Sequence, residues 1–115
     1  MSNELKNYTD NSAAQMRKGT LELSVLLVIS DDEVYASDII TKLKAYDLLV
    51  VEGTLYPILS RLKDAELVTY TWVESKDGPP RKYYKLTPRG KEALGQMKET
   101  WSNINKSINQ LIKNV

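Results

Sequence analysis

The side chains best suited to contact a polyanion lie between residues 53 and 90, which read GTLYPILSRLKDAELVTYTWVESKDGPPRKYYKLTPRG. A hydrophobic core would not need the polar members of this stretch, which are Thr54, Tyr56, Ser60, Lys63, Arg81 and Lys82. Hydroxyl groups of this kind hydrogen-bond to phosphates or reach base edges, and the cationic groups neutralise phosphate charge. The pattern favours contact with duplex DNA over chemistry on a small substrate.

The net charge of the chain, +1, hides an uneven distribution. Residues 53 to 91 hold eight basic and four acidic side chains, whereas residues 1 to 51 hold five basic and eight acidic ones. Such an asymmetry can orient a protein on a polyanion although the total charge is near zero. The basic part of the chain is the part that carries the candidate contacts.

The composition excludes several classes of function. The chain has neither cysteine nor histidine, so the commonest thiol nucleophile, metal ligand and general base are absent. Its glycines are too scattered for a phosphate-binding loop. The acidic run Asp31-Asp32-Glu33 is interpreted as a solvated loop that lies away from any duplex. We expect no enzyme activity, no cofactor and no metal site.

The length of 115 residues suits one domain with a modest core. The longest apolar run, Val25 to Ile29, is far shorter than the roughly 20 residues that span a bilayer. The polar N-terminus has no apolar signal core. We therefore expect a cytoplasmic protein without a membrane partner.

Apolar spacing predicts two helices in the first half of the chain. Residues 1–12 are polar and are expected to form an N-terminal arm that could be disordered. The first helix is predicted from Ala13 to about Ile29, and the second from about Ala36 to Tyr46. The predicted buried side chains of these two helices are Leu23, Leu26, Leu27, Ile39, Ile40, Leu43 and Tyr46.

A third helix is predicted from Leu55, Ile58, Leu59 and Leu62, which follow the spacing of one buried stripe. Pro57 lacks an N–H and is expected in the first turn, so the helix should begin near residue 53 or 54. Burial of this stripe directs other side chains outward. These are Tyr56, Ser60 and Lys63, with Thr54, Pro57 and Arg61 on the adjoining flank.

A hairpin and a last helix complete the chain. Residues 67–74 and 82–86 are predicted strands, joined by a long tip over residues 75–80. Tyr83 and Tyr84 must face opposite sides of their strand, and the pattern does not say which one is buried. Thr87-Pro88 is a strong helix start. The helix then carries an apolar heptad seam of Leu94, Met97, Trp101, Ile104, Ile108, Leu111 and Val115.

This order of elements predicts a mainly α (α+β) fold, a winged helix-turn-helix over residues 13–87 with the third helix as recognition helix. The narrow seam of the last helix, residues 88–115, needs a partner surface, and a second copy is the simplest one. The predicted dimer interface consists of Leu94, Met97, Trp101, Ile104, Ile108 and Leu111.

Three motifs resemble those of the PadR-like family of bacterial transcriptional regulators: KGTLEL from Lys18, GTLYPILSRLKDAELV from Gly53 and GPPRKYYKLTPRG from Gly78. The similarity extends from about Met16 to Trp101, and the single C-terminal helix resembles the small subfamily. The resemblance implies a homodimer whose recognition helices enter successive major grooves. It implies DNA contacts at Lys18, Thr54, Tyr56, Pro57, Arg61, Lys63, Lys76, Arg81 and Lys82.

The resemblance also implies a pocket for planar, often cationic, compounds at the dimer centre, with Trp101 and Met97 as effector contacts. One departure is visible. Where the family usually has Tyr-Gly-Tyr, this chain has Tyr35-Ala36-Ser37. The second aromatic is absent, so a role of that position in DNA contact or packing is not carried over to this chain.

The leading hypothesis is a DNA-binding transcriptional regulator, a dimeric repressor released by an apolar or aromatic small molecule. The alternative is a winged-helix module that binds a protein partner through the hairpin or the last helix and has no duplex target. Salt dependence of binding to random duplex DNA separates the two, because only the first should show a steep slope.

Overall fold

The structure, a computed structural model, describes residues 2–115. Four helices and one antiparallel hairpin follow each other along the chain. They are α1 (Ser2–Asp31), α2 (Ala36–Ala45), α3 (Glu52–Asp64), β1 (Val68–Ser75), β2 (Gly78–Leu86) and α4 (Pro88–Lys113). This mainly helical arrangement with a two-stranded sheet is a winged helix, which confirms the predicted fold class. No helix in residues 2–115 is long and apolar enough to cross a membrane.

The predicted N-terminal arm is helical rather than irregular, since α1 begins at Ser2; Met1 of that arm lies outside the described residues. Leu5 and Tyr8 are exposed, and Lys6 Nζ lies 2.8 Å from Asp10 Oδ2. Elongating an existing helix avoids the cost of a new nucleus, because each further residue adds a hydrogen bond. The packed second half of α1 therefore supports a polar first half.

The core lies where α1, α2 and α3 meet the hairpin, and it contains Leu26, Ile29, Ile39, Leu55, Leu59 and Leu62. Two predicted core residues are exposed instead. Leu27 lies beside Leu43 and Tyr46 on an open groove of about 510 Å³ between α1 and α2 and therefore stays accessible. Tyr46 is the C-cap of α2 and has left the helical spiral, with φ −104° and ψ 17°. The helical spacing that predicted its burial does not extend to that residue.

The hairpin is longer and its turn tighter than expected. Ser75 pairs with Gly78, so only Lys76 and Asp77 connect the strands, and the predicted long tip is wrong. Pro79 and Pro80 belong to β2 and lie at the irregularity opposite Val73 to Ser75, a kind of position where a strand tolerates residues without an N–H group. Tyr84 is buried and bridges to Val34, whereas Tyr83 is half-buried. Tyr84 is thus the tyrosine that packs the wing onto the domain.

The start of α4 is fixed to the corner between α3 and β1. Thr87 Oγ1 accepts a hydrogen bond from Gly90 N at 2.9 Å and donates one to Glu66 O at 2.6 Å. Thr87 N donates to Leu67 O at 3.1 Å. Gly90 is buried directly against the backbone of Leu67. Backbone contacts therefore join the start of the last helix to the segment that follows α3.

Candidate nucleic-acid interface

The candidate contact residues of α3 lie on two flanks of the helix. Between the flanks lie the buried stripe on one side and, on the other, an exposed outer ridge formed by Gly53, Pro57 and Ser60. Tyr56 and Lys63 face the hairpin, and Lys63 Nζ lies 5.5 Å from the ring centre of Tyr70. Arg61 and Thr54 face α1 and share a groove of about 420 Å³ with Lys18. A helix that enters a major groove meets a phosphate backbone on each side. Both flanks of α3 carry a cation that suits such a contact.

Pro57 lies in the second turn of α3, not in the first turn as predicted. The reason is the N-cap, Val51, whose extended backbone (φ −101°, ψ 160°) lets the helix begin at Glu52. Proline has no N–H to donate to the carbonyl four residues earlier, which belongs to the exposed Gly53. On the outer ridge of α3, the carbonyl of Gly53 therefore lacks the hydrogen bond that an N–H four residues later would donate in a regular helix.

The wing holds its two adjacent cations on aromatic rings. Lys82 Nζ lies 4.5 Å from the ring centre of Tyr70 and 5.3 Å from that of Trp72. Arg81 Cζ lies 4.8 Å from the ring centre of Tyr35 on the opposite face of the hairpin. A cation over an aromatic face is attracted by the ring quadrupole. These contacts limit the rotamers of both cations before any ligand arrives.

A groove of about 430 Å³ lies between the start of α2, the first half of α3 and the wing. Its polar lining includes Ser37, Tyr56, Arg81 and Lys82, with Glu52 as the acidic member. The groove thus brings Tyr56 of α3 together with Arg81 and Lys82 of the wing, which lie in separate sequence motifs. Lys76 is exposed in the turn at the wing tip and lies outside this lining.

Tyr84 lies beneath this surface and stays neutral. Its burial raises the pKa of the phenol, and the nearby Tyr56 and Tyr70 raise it further. Tyr84 therefore packs the wing against the domain and does not supply a negative charge near the cations.

Sequence reasoning did not identify the aromatic residues that support the wing cations. Tyr70 and Trp72 alternate on β1 and pair across the hairpin with Tyr84 and Lys82, so a strand pattern could have suggested their shared face. The sequence pattern marks Tyr35 only as the first residue of Tyr35-Ala36-Ser37, the motif that differs from the family pattern. The Tyr35 ring packs edge-on against Tyr83 at 5.0 Å and beneath Arg81. Ser37, the position at which the resemblance implied a second aromatic, lines the groove.

The seam of α4 divides into a packed part and a free part. Leu94 is buried in the core of its own chain and has little surface to offer a second copy, contrary to the predicted interface. Met97 and Trp101 line a groove of about 170 Å³ against Gly19, Thr20 and Leu23 of α1. Trp101 remains 45% exposed, and Ile104, Ile108 and Leu111 are exposed still more.

The winged helix and its cationic surface define a class of protein, and comparisons with known proteins place the chain within it. The sequence profile of the Transcriptional regulator PadR-like family matches residues 25–96. A transcriptional regulator of Mycobacterium tuberculosis, Rv3488, is 35% identical over 81 residues, which cover 70% of this chain and 74% of that protein.

Solved structures agree with this match. A PadR-like transcription factor from Bacteroides fragilis is 52% identical, covers 88% of this chain and 98% of its own, and has a TM-score of 0.74. A PadR-like transcriptional regulator from Bacillus cereus is 39% identical over 85% of this chain and 96% of its own, with a TM-score of 0.76. The chain belongs to the PadR-like family of transcriptional regulators. Proteins of this class regulate transcription and are not enzymes.

Proposed function

We propose that this protein is a cytoplasmic, homodimeric transcriptional repressor that binds an operator in duplex DNA. The observation that carries the proposal is the distribution of cations around α3. Lys63 and the wing pair Arg81 and Lys82 lie on one flank, and Arg61 and Lys18 lie on the other. Phosphate contacts on two flanks position a helix, while Thr54 on the α1 flank and Tyr56 on the hairpin flank reach base edges.

Fluorescence anisotropy with labelled promoter fragments across a salt series tests the proposal, starting with DNA upstream of the protein's own gene. We expect tight binding to one fragment over random duplex, with a logarithmic salt slope of about −0.9 for each phosphate contacted. Binding that never exceeds the random background, with a flat slope, would favour the protein-interaction module.

Replacement of Thr54 or Tyr56 by alanine should impair operator recognition more than general DNA binding. A good base contact is worth about 1–3 kcal/mol, so we expect operator affinity to fall roughly tenfold to a hundredfold. Affinity for random duplex should fall much less. Competition anisotropy measures both, and Thr41→Ala, an exposed threonine on α2, is the matched control. Equal losses on the two DNAs would reduce these residues to a positioning role.

The dimer in this proposal forms through the exposed part of the α4 seam. Trp101, Ile104, Ile108 and Leu111 are apolar, and all four remain accessible on a helix that is exposed at every residue from 101 to its end. An apolar stripe of this length on one helix is typical of a helix that pairs with a copy of itself. A two-fold axis through the seam would present two copies of α3 to the same duplex.

Trp101→Ala should weaken the dimer by about thirtyfold or more, because buried tryptophans commonly dominate interface energies. Sedimentation velocity across a concentration series measures the dissociation constant. Lys106→Ala is the control, since Lys106 lies on the opposite side of α4 from the seam. A dimer of unchanged affinity in the tryptophan variant would contradict the seam assignment.

The effector in this proposal is an apolar or aromatic molecule that binds at the groove of Met97 and Trp101. That groove is small within one chain and opens towards the seam, so a second copy would enlarge it. A flat ligand there would stack on the indole ring, and the flexible Met97 side chain would adapt to its outline. Release of DNA follows if the ligand changes the spacing of the two recognition helices, because half-sites lie about 34–36 Å apart.

A further inference from the structure

Arg61, one of the proposed phosphate contacts, already has an acidic partner on the neighbouring helix. Its Nη2 atom lies 3.5 Å from Oε2 of Glu22 on α1. We propose that Glu22 is a positioning residue that holds Arg61 and lowers the affinity for DNA without an operator. This inference rests on the proposed DNA-binding function and names a specificity residue within it.

The pair is weak enough to be exchanged. The side chains of Arg61 and Glu22 are 64% and 42% exposed, so water screens their attraction. The guanidinium has five N–H donors in a fixed fork, and one carboxylate oxygen at this distance satisfies few of them. A phosphate oxygen can therefore replace the carboxylate or share the guanidinium with it.

The surroundings of the pair explain why a carboxylate there would select between DNA sequences. Glu22 lies one helical turn after Lys18, and both line the groove that also contains Thr54. A phosphate drawn in by Lys18 must approach the Glu22 carboxylate. Binding to random duplex depends almost wholly on phosphate attraction, so this repulsion acts on it in full.

Base contacts fix the register of α3 on operator DNA, so a phosphate there can bind Arg61 at one defined distance from Glu22, whereas random duplex is bound in many registers that include closer approaches to the carboxylate. Arg61 also loses less rotamer freedom when it binds, because Glu22 already holds it near the place where it is needed. The carboxylate thus costs more on random DNA than on the operator. The pair should contribute little to folding, since both of its side chains are exposed.

The test is Glu22→Gln, which keeps the shape of the side chain and removes its charge. Affinity for random duplex should rise about twofold to fivefold at low salt. The salt slope should steepen by up to about 0.9 as Arg61 becomes free for one more phosphate. Operator affinity should rise less, so the ratio of operator to random binding should fall.

Two further variants separate this role from a general charge effect. In the Arg61→Gln background, Glu22→Gln should raise random-duplex affinity less than it does in the wild type, because only the direct repulsion of a phosphate near Lys18 remains to be relieved. Glu92→Gln changes the net charge equally on the far side of α4 and should behave like the wild type. Circular dichroism melts check that all variants fold alike.

An unchanged random-duplex affinity for Glu22→Gln would overturn the inference, as would an equal gain in the Arg61→Gln background or an unchanged operator ratio. A wild-type protein that binds no DNA at any salt would instead overturn the proposed function itself. The two failures are therefore distinguishable.

Discussion

Gly90→Ala is expected to destabilise the folded protein by about 3 kcal/mol or more. An added Cβ would overlap the carbonyl oxygen of Leu67 and lie 2.9 Å from its carbonyl carbon. Both neighbours are backbone, and neither can move aside without shifting β1 or α4. Alanine favours a helix over glycine by about 1 kcal/mol, which is too little to offset this overlap.

Urea denaturation measures the free energy of unfolding, and Gly95→Ala supplies a matched control on the same helix. Nothing lies within 4 Å of the corresponding Cβ position at Gly95. That variant should be neutral or more stable by about 1 kcal/mol, following helix propensity alone. Similar unfolding midpoints for the two variants would mean that α4 does not pack on Leu67 as described.

Arg81→Ala and Lys82→Ala together should weaken binding to every duplex, irrespective of sequence. Each lost phosphate contact removes about 0.9 from the logarithmic salt slope, which corresponds to roughly tenfold in affinity near 0.1 M salt. The two residues are neighbours on β2 and line the same groove, so the two single variants measure how far their losses add. Anisotropy titrations from low to moderate salt on operator and random DNA measure the slope.

Lys85→Ala is the control for the wing variants, because Lys85 is an exposed cation on the same strand outside the aromatic contacts. It tests whether any loss of positive charge on β2 has the same effect. A double variant with an unchanged slope would remove the wing from the interface and leave α3 as the sole candidate. A loss confined to the operator would assign these residues to base recognition.

The sequence predicted those parts of the fold that follow from local periodicity. The stripe of Leu55, Ile58, Leu59 and Leu62 is buried as expected, because a 3.6-residue period leaves few other arrangements. Thr87 caps α4 as its type and the following proline predict. The boundaries were less predictable, since the start of α1 depends on elongation from a packed segment and not on its own composition.

The candidate site was predictable in its cations but not in their surroundings. Arg81 and Lys82 stand out in the sequence because they follow two prolines in a basic stretch. Their aromatic supports lie on other strands and loops, and only the register of the hairpin and the bridge of Val34 to Tyr84 bring them together. The pairing of Glu22 with Arg61 depends on how α1 crosses α3, for which no local pattern exists.

The anchorage of α4 on Leu67 gives that helix the mechanics of a lever. Its 26 residues extend about 39 Å at the rise of an α-helix, with the fixed end beside the end of α3. Because Leu94 is buried and Met97 and Trp101 pack against α1, α4 turns together with its domain. With the far end held against a partner, a turn of about 5° would displace the fixed end by about 3 Å. In the proposed dimer, a small adjustment in how the two copies of α4 cross would therefore displace each α3 by about the length of a hydrogen bond.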